Sequence, residues 1–218
     1  MRYFYLHGFA SSPKSRKAQH LSDRLAEHGL TLEIPDFNQP DFSTLTLTRQ
    51  LDQMVDLLGS DRAVLLGSSF GGLTASYLGD RLGDQIAELI LLAPAFGFPQ
   101  RWRDRLSLEQ RQTWETTGQL MVHHYGEGKQ QPLNYSFWED AQQYDWTQLT
   151  NTIPTQIFHG LHDDTVPVEH SRQYAANRDW VTLTELDSDH GLGDRNTLQQ
   201  ITNALLDTLP AKHKSPSP

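Results

Sequence analysis

The chain contains no cysteine. That excludes disulfides, thiolate metal sites and a cysteine nucleophile, and it points to a reducing compartment. No apolar run approaches the ~18 residues that a bilayer span needs. The sequence starts with a strand-like segment, Arg2–Leu6, in place of a charged-then-apolar leader. Both features predict a soluble, cytoplasmic protein without membrane insertion. Cations are outnumbered, 18 Lys and Arg against 27 Asp and Glu, for a formal charge of −9, which argues against nucleic acid as a partner. Neither Gly-x-Gly-x-x-Gly nor Gly-Lys-Ser/Thr occurs, so nothing points to a nucleotide, and no cofactor is expected. The pair His123-His124 has only Glu127 nearby. That is too little for a metal site, and the pair reads as the end of a helix.

What is present is a nucleophile motif. Gly67-Ser68-Ser69-Phe70-Gly71-Gly72 follows the apolar run Ala63–Leu66 and opens the helix-like Leu73–Arg81. The frame Gly67-x-Ser69-x-Gly71 fits a sharp strand-to-helix turn with a serine at its apex. Such a turn forces the serine into strained backbone angles and leaves no room for side chains two residues either side. The hydroxyl then stands at a helix N-terminus, whose dipole favours developing negative charge.

Hydrolases built on this turn carry their triad in the order Ser, acid, His. Downstream, the strand-like Thr155–Phe158 runs into His159-Gly160-Leu161-His162-Asp163-Asp164-Thr165-Val166-Pro167, and Val181–Leu186 runs into Asp187-Ser188-Asp189-His190-Gly191. We assign Ser69 as nucleophile, His190 as general base and then acid, and Asp163 as the group that orients the imidazole. Adjacent side chains diverge, so only one of Asp163 and Asp164 can face His190, and Asp163 is preferred. Asp187 and Asp189 read as turn formers, and His7 and His159, each ahead of a glycine at a strand end, as structural. An oxyanion hole needs two backbone N–H groups. One is expected from Phe70 and the other from Phe9, in the loop His7-Gly8-Phe9-Ala10.

Strand and helix signals alternate along residues 1–210, predicting one α/β domain with a mainly parallel sheet between helix layers. Ser12-Pro13 reads as the start of the first helix, with Ala18, Leu21 and Leu25 as its apolar stripe, and Leu30–Ile34 as the second strand. Residues 96–150 break the alternation and hold four of the five tryptophans, Trp102, Trp114, Trp138 and Trp146. The patterns Ser107-x-x-Gln110 and Ser136-x-x-Glu139 suggest two capped helices flanking a polar loop at Gly126–Gln131. This segment reads as a small helical lid over Ser69, with Trp102 and Trp138 as candidate substrate contacts. For any single aromatic, membership of the lid's own core is the stronger reading. Residues 211–218 read as a disordered tail.

These residues resemble the α/β-hydrolases over nearly the whole chain. Tyr5-Leu6-His7-Gly8-Phe9-Ala10-Ser11-Ser12-Pro13 is similar to the small bacterial esterases of the YqiA type. Tyr135-Ser136-Phe137, His159-Gly160 with Asp163-Asp164 and Val166-Pro167, and Ser188-Asp189-His190 look closer to the mitochondrial acyl-glucuronide esterase and palmitoyl-protein thioesterase group. The resemblance implies a three-layer α/β-hydrolase fold lacking the opening antiparallel strands of larger members. It implies hydrolysis of small-molecule carboxylic esters or thioesters through an acyl-enzyme, with no cofactor and no metal. It supports Asp163, because the superfamily often shows Gly-x-x-Asp-x-x-Val-Pro, matched by Gly160 through Pro167. Acyl transfer or perhydrolysis on the same triad, and a non-catalytic ligand receptor, are the alternative expectations.

Overall fold

The computed structural model describes residues 1–209; the tail expected to be disordered lies outside them. Eight strands and eight α-helices follow one another as β1 (Arg2–Leu6), α1 (Arg16–Ala26), β2 (Leu32–Glu33), α2 (Leu47–Leu58), β3 (Ala63–Ser68), α3 (Phe70–Leu82), β4 (Ile86–Leu92), α4 (Gln100–Asp104), α5 (Leu108–Thr117), β5 (Gln119–His124), β6 (Lys129–Asn134), α6 (Ser136–Ala141), β7 (Thr155–Gly160), α7 (Val168–Ala175), β8 (Val181–Leu186) and α8 (Arg195–Asp207). Six strands form one all-parallel sheet in the order β2-β1-β3-β4-β7-β8. This is the α/β-hydrolase architecture.

The central strands are apolar on both faces, as a sheet covered on both sides requires. Phe4, Leu6, Leu65, Leu89 and Leu91 pack with α2 and α3, while Tyr3, Tyr5, Val64, Leu66 and Ile90 pack with α1 and α8. Chain order reverses between β1 and β3, whose C-terminal ends align with Leu6 opposite Gly67. Open parallel sheets place ligands in the crevice outside such a switch point. The loops leaving it carry Gly8-Phe9 and Ser69.

Several boundaries depart from the sequence reading. The first helix starts at Arg16 behind Ser15, which accepts from the Ala18 N–H at 3.4 Å, while Ser12 accepts from Lys14 in the preceding turn. The second strand shrinks to two residues. The 96–150 segment is not purely helical, since its supposed polar loop is the turn and second strand of the antiparallel hairpin β5–β6. His124 is therefore a buried strand residue against Phe42, ring centroids 4.7 Å apart, and not a helix end. Ser107 forms the expected capping box with Gln110, but Ser136 lies inside α6, which Tyr135 precedes without a side-chain cap. Among the described residues no helix is long and apolar enough to cross a membrane.

Candidate active site

Steric exclusion builds the serine turn. Ser69 has φ 53° and ψ −116°, a conformation L-residues rarely adopt. Four backbone hydrogen bonds hold it there: its N–H donates to Leu92 O at 2.9 Å, and its carbonyl accepts from Gly72, Leu73 and Ala95 at 2.9–3.1 Å. A Cβ at Gly67 would sit 2.6 Å from Gly72 Cα, and one at Gly71 within 2.7 Å of the His7 carbonyl oxygen and closer still to that of Leu6. Only glycine fits at either position. Ser69 occupies the N-cap of α3, where a serine ordinarily turns its oxygen onto the helix amides; here it makes no such bond. Its Oγ meets His190 Nε2 at 3.0 Å instead.

His190 Nδ1 lies 2.6 Å from Asp163 Oδ2, so Nδ1–H donates to the carboxylate and Nε2 faces the hydroxyl as acceptor. The structure thus brings Ser69, His190 and Asp163 together from the ends of β3, β8 and β7. Asp164 stays outside this contact, its carboxylate accepting from the Thr165 hydroxyl. The Asp163 side chain is fully buried. Its Oδ1 accepts from the Thr165 and Val166 N–H groups at 2.8 and 2.7 Å, and its Oδ2 also meets His159 Nε2 at 3.2 Å. Burial pushes this carboxyl's pKa up, but hydrogen bonds from His159, His190 and Val166 outweigh it and hold the group well below the usual carboxylate range.

His159 is more than a strand-end residue, and its role was not readable in the sequence. It is fully buried, and its Nδ1 lies 2.7 Å from the Ser171 hydroxyl while its Nε2 lies 2.9 Å from the Val166 carbonyl. With oxygen acceptors on the Nε2 side, that nitrogen carries the proton and Nδ1 accepts from Ser171. Burial pushes the Lys17 ammonium down to about 8, opposed by the charges of Asp189 and Asp163.

Gly8 brings the β1–α1 loop against Ser69: a Cβ there would meet Ser69 Cβ at 3.4 Å. The Gly8 carbonyl accepts from His7 Nδ1–H at 3.0 Å and Ser11 N–H at 3.2 Å. Fixing that oxygen sends the Phe9 N–H of the same trans peptide plane the opposite way. Neither the Phe9 nor the Phe70 amide donates to a protein group among the described residues. Ala10, with φ 52°, gives its carbonyl to Gly126 N–H at 3.1 Å, so the hairpin turn braces this loop.

Rings of the 96–150 segment close over the same loop. Phe9 packs against Phe98, Trp102 and Phe137 with centroids 5.3–5.5 Å apart, and Phe70 against Phe98 and Phe137 at 5.3 and 5.7 Å. Trp102 thus stands in the wall beside Phe9. Trp138 is buried beneath the Arg103 guanidinium, 4.7 Å over its ring, and Trp114 is core, donating its indole N–H to Leu133 O at 2.9 Å. Among the described residues no group of three His, Asp or Glu side chains is arranged to hold a metal.

Solved structures share this architecture. Mouse α/β hydrolase domain-containing protein 10 matches with a TM-score of 0.79 at 20% identity, over 94% of this chain and 88% of its own. Est1E from Butyrivibrio proteoclasticus, solved with ferulic acid, matches at 0.78 and 21% identity over 94% and 87%. A monoacylglycerol lipase from Paleococcus ferrophilus matches at 0.71 and 16% over 94% and 92%. At such identities the likeness establishes the fold. A family model covers residues 2–206, and by that match the chain belongs to the uncharacterised protein family UPF0227.

Proposed function

We propose that the chain is a serine hydrolase that cleaves carboxylic esters or thioesters of small to medium acyl groups through an acyl-enzyme on Ser69. The observation that carries this reading is the unbroken line from Asp163 Oδ2 through His190 to Ser69 Oγ, at 2.6 and 3.0 Å. The esterase and lipase named among the structural neighbours fit the same reaction class.

In this reading His190 Nε2 takes the Ser69 proton as Oγ adds to the substrate carbonyl carbon. The carbonyl oxygen gains its charge between the amides of Phe9 and Phe70, which have no other acceptor among the described residues. His190 then protonates the departing alkoxide or thiolate, leaving an ester on Ser69. Water, deprotonated by the same nitrogen, adds to that ester and frees the acid. Asp163 remains ionised throughout and stabilises the imidazolium. The 96–150 segment serves as the lid, with the rings around Phe9 enclosing the apolar part of the substrate.

Labelling with a fluorophosphonate, read by intact mass, tests this. One adduct is expected on the wild type and none on Ser69→Ala or His190→Ala, each still folded by circular dichroism. No adduct on folded wild-type protein would move the site to a binding role.

A further inference from the structure

Outside the triad, the arginines of α4 and its C-cap are unusual in their surroundings. Arg101, Arg103 and Arg105 crowd one short segment of a chain whose formal charge is −9, yet none forms an ion pair among the described residues. The acid between them, Asp104, is occupied by Gln100 at 2.9 Å and by Arg111 at 3.8 Å. Arg103 lies over Trp138. Arg101 and Arg105, four residues apart, fall on one helix face. Together they line a cleft of about 30 Å³ with Phe98, Trp102, Thr165 and Val166.

The position of this cleft gives it meaning. Two of its walls, Phe98 and Trp102, pack on Phe9 at 5.5 and 5.4 Å, and the opposite wall is the loop whose Thr165 and Val166 amides hold Asp163. It therefore lies between the oxyanion side and the acid side of the candidate site. Arg105 is fixed by donating to the carbonyls of Asp164 and Thr165, which leaves its charge without a counter-ion. Among the described residues the Arg101 side chain donates to no group, and its Nε is shut off from water without a partner. A guanidinium partly withdrawn from water and unpaired is costly, and a carboxylate meeting its planar fork relieves that cost.

We infer that Arg101, with Arg105 beside it, binds a carboxylate carried by the ester or thioester that Ser69 attacks. The inference rests on the hydrolase reading for its substrate and on the cleft for its specificity. A space this small admits an end group and not a whole ligand. The rings of Phe98 and Trp102 then receive the apolar stem that joins this end group to the reacting carbonyl. A solvated surface arginine differs in one checkable respect: it confers no preference for charged over neutral substrates.

Two ester pairs locate the carboxylate. Mono-p-nitrophenyl glutarate beside p-nitrophenyl butyrate places it on the acyl side, and 3-acetoxybenzoate beside methyl 3-acetoxybenzoate on the leaving group. In at least one pair the wild type is expected to favour the charged member about tenfold in kcat/KM, mostly through KM. That ratio should fall to about one in Arg101→Gln and be partly restored in Arg101→Lys. Ratios near one in the wild type for both pairs, or charged and neutral esters slowed in equal proportion by Arg101→Gln, overturn the inference. A readout without turnover separates it from the hydrolase reading: in Ser69→Ala, Trp102 fluorescence is titrated with benzoate and with benzamide. Benzoate should bind at least tenfold tighter, with the difference abolished by Arg101→Gln. Equal binding of the two defeats the anion site, whereas absence of hydrolysis and of the fluorophosphonate adduct defeats only the hydrolase reading.

Discussion

The C-terminal edge of the sheet and the 96–150 segment above it are built on different principles. At the sheet edge the backbone is over-determined: Ser69 is tied by four hydrogen bonds, and Gly67 and Gly71 sit where any Cβ collides with main chain. The upper segment is held mainly by side chains, through the rings around Phe9 and the buried Trp114, with one backbone bond from the hairpin turn to Ala10. Backbone collisions leave no tolerance, whereas ring packing yields by degrees. In the proposed reading the chemistry rests on the unyielding part, and the segment proposed to meet substrate is adjustable.

Three substitutions probe that contrast. Asp163→Asn should have the largest effect, lowering kcat by about 10³–10⁴ and slowing fluorophosphonate labelling with it, because the amide favours the wrong imidazole tautomer. Its effect on stability should depend on pH. A carboxyl held below its unfolded value of about 3.9 contributes stability above that pH and loses it as pH falls through the folded value. Urea melts should therefore separate wild type from Asp163→Asn above about pH 4 and converge below it; parallel curves down to pH 2 would deny the depressed carboxyl. Gly71→Ala comes next, costing about 4 kcal/mol or more and yielding insoluble protein, because a methyl group there overlaps the Leu6 carbonyl. A soluble Gly71→Ala with native melting temperature would contradict the rigid-edge picture. Trp114→Ala should cost about 3 kcal/mol, chiefly within the upper segment. Limited proteolysis should then cut between residues 96 and 150 before the sheet is attacked. Uniform cleavage would mean that the two regions unfold as one.

The same contrast explains what the sequence revealed. Gly67, Ser69 and Gly71 are legible because their spacing reports a steric constraint within one turn, and strand–helix alternation predicts the parallel sheet whose C-terminal ends gather Asp163 and His190 beside them. The hairpin was missed. Gln119–His124 alternates in burial, but its partner Lys129–Asn134 is polar and carries Pro132, which masks a strand whose apolar support comes from Trp114 and Phe42 elsewhere in the chain. The bond from His159 to Asp163 was equally hidden, since a histidine ending a strand gives no local sign of the turn that folds Asp163 back onto it.

The hairpin's contact with the β1–α1 loop has a consequence for exchanging parts between relatives. Gly126 N–H holds the carbonyl of Ala10, a residue at positive φ, and a Cβ at Gly126 would lie 2.7 Å from that of Ser12. A donor segment grafted between β4 and β7 of this chain must therefore supply both an amide for Ala10 and a gap for Ser12. A chimera that brings only a matching aromatic pocket would inherit the pocket and mis-set the loop beside Ser69.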